Sequence, residues 1–220
     1  MQTTNASKLR DARPTRERII HAARKLFISK GFHAATTTEL AAESGVNISL
    51  IYRHFASKDD IVFTIAEQKV HEHILRRNVI FDAVKRSELS VFDAIKAFAH
   101  ERLADTEGSL FFEVLAESYR NRLVAERMRT LTEMYRESIR YLAVLARPDA
   151  PPDKIDAYAD LMTACFTGIG YRPAIGIADA ERASYEIACL LMTALGLPEP
   201  PNSQVTSKNA LGSSPKQRRR

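Results

Sequence analysis

Eight side chains between Thr36 and Lys58 are of the kinds that engage duplex DNA: Thr36, Asn47, Ile48, Ser49, Tyr52, Arg53, His54 and Lys58. Phosphates are anionic and accept hydrogen bonds, so hydroxyls, cationic side chains and the unpaired N–H groups of helix N-termini suit them. Base edges are read by hydrogen bonds from short polar side chains, and the thymine methyl by apolar contact. The eight residues divide along that line. Asn47, Ile48 and Ser49 have the types expected against bases. Thr36, Tyr52, His54 and Lys58 suit the phosphate backbone, with Arg53 beside them.

Local signals say which elements must hold these residues. Thr36-Thr37-Thr38-Glu39 is a capping box, in which the Thr36 hydroxyl accepts from the backbone N–H three residues on and Glu39 reaches back. Leu40 and Ala41 then face a core. Gly45 stands where a tight turn between two short helices needs positive φ. Asn47 caps the next helix, and Val46 and Ile51 form a hydrophobic staple across that cap. Ile51 and Phe55, four apart, are expected to bury against a preceding helix. Ser57, with Asp60 three residues later, caps a third. Three capped N-termini in succession describe a helix-turn-helix motif at 36–55. Ahead of it, Thr15 after Pro14 is the expected N-cap of a first helix. Its buried stripe is Ile19, Ala23, Leu26 and Phe27, and Gly31 ends it.

Charge follows the same division. The 220-residue chain has a formal net charge of +5. Residues 8–58 hold ten Lys or Arg against four Asp or Glu, residues 59–201 hold 17 against 23, and residues 202–220 hold five basic residues and no acid. A basic first quarter on an acidic body is the footprint of a nucleic-acid reader with an attached, non-binding domain.

Apolar residues recur at spacings of three and four almost throughout, which predicts an all-α fold of about nine helices. After Ser57 a helix runs to about Phe81, long enough to join two domains. Further helices are expected at about 90–104, 109–120, 122–146, 154–172 and 180–196, with breaks at Gly108, Asn121, 147–153 and 172–179. The expected organisation is a disordered arm at 1–12, the DNA-binding domain at 13–73, the effector-binding and dimerisation domain at 74–197, and a disordered basic tail at 198–220.

In the second half, bulky apolar and soft residues suit a pocket for an apolar or aromatic effector: Phe98, Phe111, Phe112, Met128, Leu131, Met134, Tyr135, Met162 and Phe166. Glu113 and Glu117 share a helix face among apolar neighbours. They would either select a cationic ligand or pair with an arginine such as Arg120 or Arg140.

Other chemistries are set aside. His71 and His73, two apart on a helix, point about 200° apart and do not share a metal easily. CxxC, HExxH, P-loop and GxSxG motifs are missing from the sequence. No enzyme, metal or cofactor is expected. Cys165 and Cys189 sit in apolar helical patterns and read as core thiols of a reducing compartment. With no run of 18 apolar residues and no signal-peptide pattern near Met1, the expectation is a cytoplasmic protein without a membrane partner.

The stretch from Ile19 to Ile61 resembles the N-terminal signature of the TetR (tetracycline-repressor) family of transcriptional regulators. The resemblance rests on ARKLFISKGF (23–32), Thr36 with Glu39-Leu40-Ala41, Gly45-Val46-Asn47, and Ile51-Tyr52-x-His54-Phe55-x-Ser57-Lys58. It covers roughly residues 13–73. The sequence departs from the commonest pattern at Ile48, where a basic residue is frequent, and at Leu50, where a small one is. The resemblance implies the division of this fold into a three-helix DNA-binding head and a helical ligand-binding and dimerisation domain. It implies a homodimer on a double-stranded operator, phosphate contacts from Thr36, Tyr52, His54 and Lys58, and base reading by residues 47–49. It also implies a two-fold, four-helix dimer interface from the last two helices, for which small and apolar positions such as Cys165, Gly168, Ala188 and Leu191 are the candidates. The resulting expectation is a repressor released from its operator by a small apolar or amphipathic effector. The alternative is a DNA-binding dimer controlled by a protein partner.

Overall fold

The computed structural model describes residues 13–105, 107–176 and 179–198. The arm expected at 1–12, and all but Pro198 of the tail expected at 198–220, lie outside these residues. The described chain is all-α, with α1 (Thr15–Lys30), α2 (Thr37–Ser44), α3 (Ile48–His54), α4 (Lys58–Lys85), α5 (Val91–Leu103), α6 (Gly108–Ser118), α7 (Arg122–Ala146), α8 (Pro152–Ile169) and α9 (Ala180–Ala194). A short 3₁₀ turn, Arg172–Ile175, lies between α8 and α9.

Helix starts follow their caps. The Thr36, Asn47, Ser57, Ser90 and Asn121 side chains each accept a first-turn N–H, satisfying donors that have no intrahelical partner. Thr15 departs from expectation: it is the first helical residue, and Pro14 precedes it without a side-chain cap. Gly108 begins α6 rather than separating two helices. Pro152 lies inside α8, in the first turn where its missing N–H costs nothing. The chain expected to be helical through 172 leaves α8 after Ile169 and tightens into the 3₁₀ turn.

α4 extends four residues beyond the expected end, giving 28 residues and a length of about 42 Å. Its burial changes along its length. Ile61 to Ala66 are buried without interruption, whereas farther on only Val70, His73, Arg77 and Phe81 are buried. A helix buried on all faces runs through a core, while one with a stripe at spacings of three and four lies along one. The first half of α4 is accordingly inserted between α1 and the α6–α7 pair, and the second half lies on the body.

Two apolar cores result. The first joins Ile19, Phe27, Leu40, Ile51, Phe55 and Ile65 to Leu110 and Val114 of α6 and to Val124, Met128 and Leu131 of α7. The head therefore shares its core with the body. The second core contains Phe81, Phe98, Ile139, Leu142, Met162, Phe166 and Leu191, drawn from α4, α5, α7, α8 and α9.

Candidate nucleic-acid interface and ligand cavity

α3 is anchored from beneath and open above. Ile51 and Phe55 are buried, as their spacing predicts, while Asn47, Ile48, Ser49, Tyr52, Arg53 and His54 are exposed. Ile48 is 40% and Tyr52 52% exposed. The Tyr52 hydroxyl lies 3.3 Å from Thr37 Oγ1, tying the outer face of α3 to the start of α2. The turn between them is fixed by Gly45, at φ 63° and ψ 28°, left-handed values that glycine adopts without Cβ strain. Arg18 of α1 donates to the carbonyls of Ser44 (2.7 Å) and Gly45 (2.9 Å). A Cβ at residue 45 would stand 2.9 Å from that guanidinium. Local pattern gave no sign of this strap, because Arg18 is far from the turn in sequence.

The capping box forms in full. Glu39 N–H donates to Thr36 Oγ1 at 3.2 Å, and Glu39 Oε2 accepts the Thr36 N–H at 3.0 Å. Lys30 donates to Glu39 Oε1. The Lys30 hydrogen bond, then those from the Thr36 backbone and hydroxyl, hold the Glu39 carboxyl down to about 2. With Lys25 bonded to Glu43 at 2.6 Å, both acidic groups of α2 are paired with lysines of α1.

Lys58 departs from the expected free phosphate contact. Its Nζ donates to the carbonyls of Phe32 (2.7 Å), His33 (3.2 Å) and Ala35 (3.0 Å), and lies 4.6 Å from the Phe32 ring centroid. An ammonium has three donors, and all three are committed to the segment that delivers Thr36.

A cavity of about 150 Å³ lies where the two cores meet, walled by α4, α6, α7, α8 and the end of α5. Of the expected effector contacts, Phe111, Leu131 and Tyr135 line it. The others belong elsewhere. Phe98, Met162 and Phe166 are fully buried in the second core, and Met128 in the first. Met134 borders a shallow outer groove with Ile74 and Tyr141, and Phe112 is half-buried against Phe111. Glu117 is half-buried away from the cavity. Glu113 faces the head, where Oε2 accepts the Phe32 N–H at 2.7 Å. Its partner is thus a backbone donor of the α1–α2 loop, while Arg140 pairs with Asp156 at 2.8 Å.

The polar lining was not anticipated. Lys69, His73, Arg102, Asp105, Glu107, Thr163 and Thr167 come from four elements. Lys69 Nζ is 2.9 Å from Asp105, and Arg102 is 3.4 Å from it. Burial pushes the Asp105 carboxyl up, but Lys69, the Glu107 N–H and Arg102 together outweigh it and hold it below the ordinary value. Burial likewise opposes ionisation of Glu101, and His73, Arg77 and Arg76 reverse the balance. His71 and His73 do point apart: His71 is exposed and bonded to the Glu67 carbonyl of its own helix, while His73 is buried. Arg77, 0% exposed, lies between the rings of Phe98 (4.6 Å) and Tyr135 (4.3 Å).

The expected interface residues divide. Cys165 is half-buried and Gly168 exposed on α8, but Ala188 and Leu191 point into the chain's own second core. The outward face of α9 carries Leu190, 71% exposed against 4% for Leu191. Leu161, Tyr171 and Ile175 are also exposed. Gly170 admits Arg102, whose Nη2 would stand 2.5 Å from a Cβ there. Both cysteines are free and half-buried rather than core, and burial pushes the Cys165 thiol up. Among the described residues no helix is long and apolar enough to cross a membrane.

Residues 19–65 match the family model described as bacterial regulatory proteins, tetR family. The HTH-type transcriptional regulator UidR of Escherichia coli (strain K12) is 28% identical over 134 residues, 59% of this chain and 67% of that one. Among solved structures, Salmonella enterica GusR shares the fold with a TM-score of 0.62 at 22% identity, over 86% of this chain and 100% of that one. The transcriptional regulator FadR from Bacillus subtilis, solved in complex with stearoyl-CoA, superposes with a TM-score of 0.63 at 14% identity, over 80% and 96% of the two chains.

Proposed function

The chain belongs to the tetR family of bacterial regulatory proteins and is a helix-turn-helix transcriptional regulator, and from that premise we propose that it is a homodimeric, cytoplasmic repressor released from its operator by a small molecule in the α4–α8 cavity. Residues 13–73 act as the DNA-binding head and residues 74–197 as the effector-binding and dimerisation domain. The observation that carries the DNA-binding part is the division of α3, with Ile51 and Phe55 anchored and Ile48, Ser49 and Tyr52 left at the surface. Asn47, Ile48 and Ser49 meet base edges. Thr36, Tyr52, His54 and Arg53 contact the backbone, Thr36 from the start of α2, a helix N-terminus of the kind that suits a phosphate.

In the dimer, the outward side of α8, the 3₁₀ turn and α9 meets its two-fold mate, and Leu161, Tyr171 and Leu190 are covered. The two recognition helices then sit about 34–36 Å apart in successive major grooves. Release follows when the ligand favours a state in which the heads are wrongly spaced, and only in proportion to its differential affinity for the two states. Glu107 supports such coupling, because it lines the cavity and pairs with Arg24 of α1 at 3.0 Å.

The experiment is selection of duplexes from a randomised library by the full chain, followed by gel shifts with variants. Tyr52→Ala should weaken binding to all duplexes alike, and Ser49→Ala should change which duplex is preferred. A Tyr52→Ala protein that changes preference at unchanged affinity, or a chain that selects no duplex over random competitor, refutes the assignment.

A further inference from the structure

The cavity presents apolar side chains on one side and a charged corner on the other, and the corner is already balanced. Lys69 faces Asp105 at 2.9 Å and Glu107 at 3.4 Å, Arg102 faces Asp105 at 3.4 Å, and Glu107 also holds Arg24. These cations and carboxylates come from α1, α4, α5 and the α5–α6 connection. α7 and α8 face the cavity with Thr132, Tyr135, Thr163 and Thr167 and add no charge. A charged ligand would have to break an ion pair or enter without a counterion, and either is costly in a confined apolar site.

What remains unmatched among the residues lining the cavity is polar without a fixed charge. The Tyr135 hydroxyl and Thr163 Oγ1 are buried and have no hydrogen-bond partner among the described residues. His73 is 3% exposed. Its Nδ1 faces Glu101 Oε1 at 2.7 Å and its Nε2 lies 3.9 Å from Asp105 Oδ2; neither ring nitrogen makes a hydrogen bond among the described residues, and Nε2 has no polar atom within bonding distance. Buried polar atoms are rarely left unpaired, so these three mark where a ligand's polar group belongs. A hydroxyl both donates and accepts, and so matches an imidazole nitrogen and two hydroxyls whichever way their protons point.

Size narrows the class further. The volume is about 150 Å³, comparable with an apolar cavity of about 150 Å³ that takes a single benzene. One ring fits; a long acyl chain does not. We propose that this cavity binds a neutral, single-ring alcohol or phenol, with the ring against Val70, Leu110, Phe111 and Leu131 and the hydroxyl among His73, Tyr135 and Thr163. This rests on the reading of the cavity as the effector site.

The test uses the full chain with benzyl alcohol, phenol, toluene, benzoate, benzylamine and decanoate in calorimetry and thermal melts. Benzyl alcohol and phenol should bind saturably and raise Tm, at least about tenfold more tightly than benzoate or benzylamine, the scale of one mismatched buried polar group. Tyr135→Phe combined with Thr163→Val preserves volume, so its fold is checked by circular dichroism. This variant should lose about tenfold for benzyl alcohol and none for toluene. Tighter binding of benzoate, benzylamine or decanoate, no binding of either neutral hydroxyl probe, or an unchanged double variant overturns the proposal. Gel shifts on the selected duplex separate the two readings. Benzyl alcohol that binds as described without weakening DNA binding supports the ligand class and removes the effector role. Decanoate or benzoate that binds and releases DNA keeps the effector role and overturns the class.

Discussion

Lys58→Ala distinguishes a strap from a phosphate contact. The ammonium holds the carbonyls of Phe32, His33 and Ala35 at 2.7–3.2 Å. A hydrogen bond from a charged donor contributes about 1.5–3 kcal/mol. His33 and Ala34 are exposed, so water replaces part of what is lost, and three bonds to one atom are not additive. The expected cost is about 2 kcal/mol, for which a chain of this length loses roughly 4–8 °C in Tm. The melt must be run at fixed protein concentration, because the dimer of the proposed function would couple association to stability. The second assay is the salt dependence of operator affinity. Each phosphate contact adds about 0.9 to the slope of log K against log salt, so a strap leaves the slope unchanged and a phosphate contact lowers it by about that much per subunit. An unchanged Tm together with a reduced slope would refute the assignment drawn from the three carbonyl distances.

Two further predictions concern the cap and the interface. Glu39 titrates at about 2 against an ordinary 4.5, so its contribution to folding is present above the ordinary value and is lost as pH falls towards 2. In NMR titrations Lys30→Met should raise the Glu39 midpoint more than Thr36→Val, because the Lys30 hydrogen bond is the largest influence, and the reverse order would contradict it. Leu190→Asp should shift the chain from dimer to monomer in sedimentation while helical content stays, whereas Leu191→Asp, buried at 4% exposure, should lower Tm by more than about 5 °C through an unpaired buried charge. Equal behaviour of the two would mean that the outward face of α9 has been misassigned.

The parts of the molecule legible in sequence are those decided within a few residues. The caps at Thr36, Asn47 and Ser57, the turn at Gly45 and the anchoring pair Ile51 and Phe55 depend on neighbours along the chain, and the structure has them where the pattern predicts. Side-chain type alone cannot distinguish uses that differ only in what lies opposite. Lys58 has the same chemistry whether it meets a phosphate or three carbonyls, and Glu113 the same whether it meets a ligand or the Phe32 N–H. The cavity was least legible because its polar lining is dispersed over α4, α5, the α5–α6 connection and α8, each residue separated by others facing a core. Leu190 and Leu191 show the same limit at one-residue resolution. α9 is apolar on more than one side, and only its packing against α5 decides which leucine is spent internally.

The shared first core bears on how ligand and DNA would communicate. If α1–α4 had an apolar core of their own, the head could keep its position whatever happened in the body. Instead Leu110 and Val114 of α6 and Leu131 of α7 belong to the same cluster as Phe27, Ile51 and Ile65, and Leu110, Leu131 and Ile65 also wall the cavity. Close-packed interiors do not deform smoothly, so under the proposed function a ligand that displaces α6 must repack part of the head's own core. Two polar ties lie along that path: Glu107, just before α6, pairs with Arg24 of α1, and Glu113 of α6 accepts the Phe32 N–H of the loop after α1. α1 in turn holds the α2–α3 turn through Arg18. The body is joined to α4 a second time by Arg127, which pairs with Asp60 at 2.9 Å and stacks 3.7 Å over Phe63. On this arrangement the recognition helix needs no separate signal from the cavity, since moving one wall already moves the surface against which the head is packed.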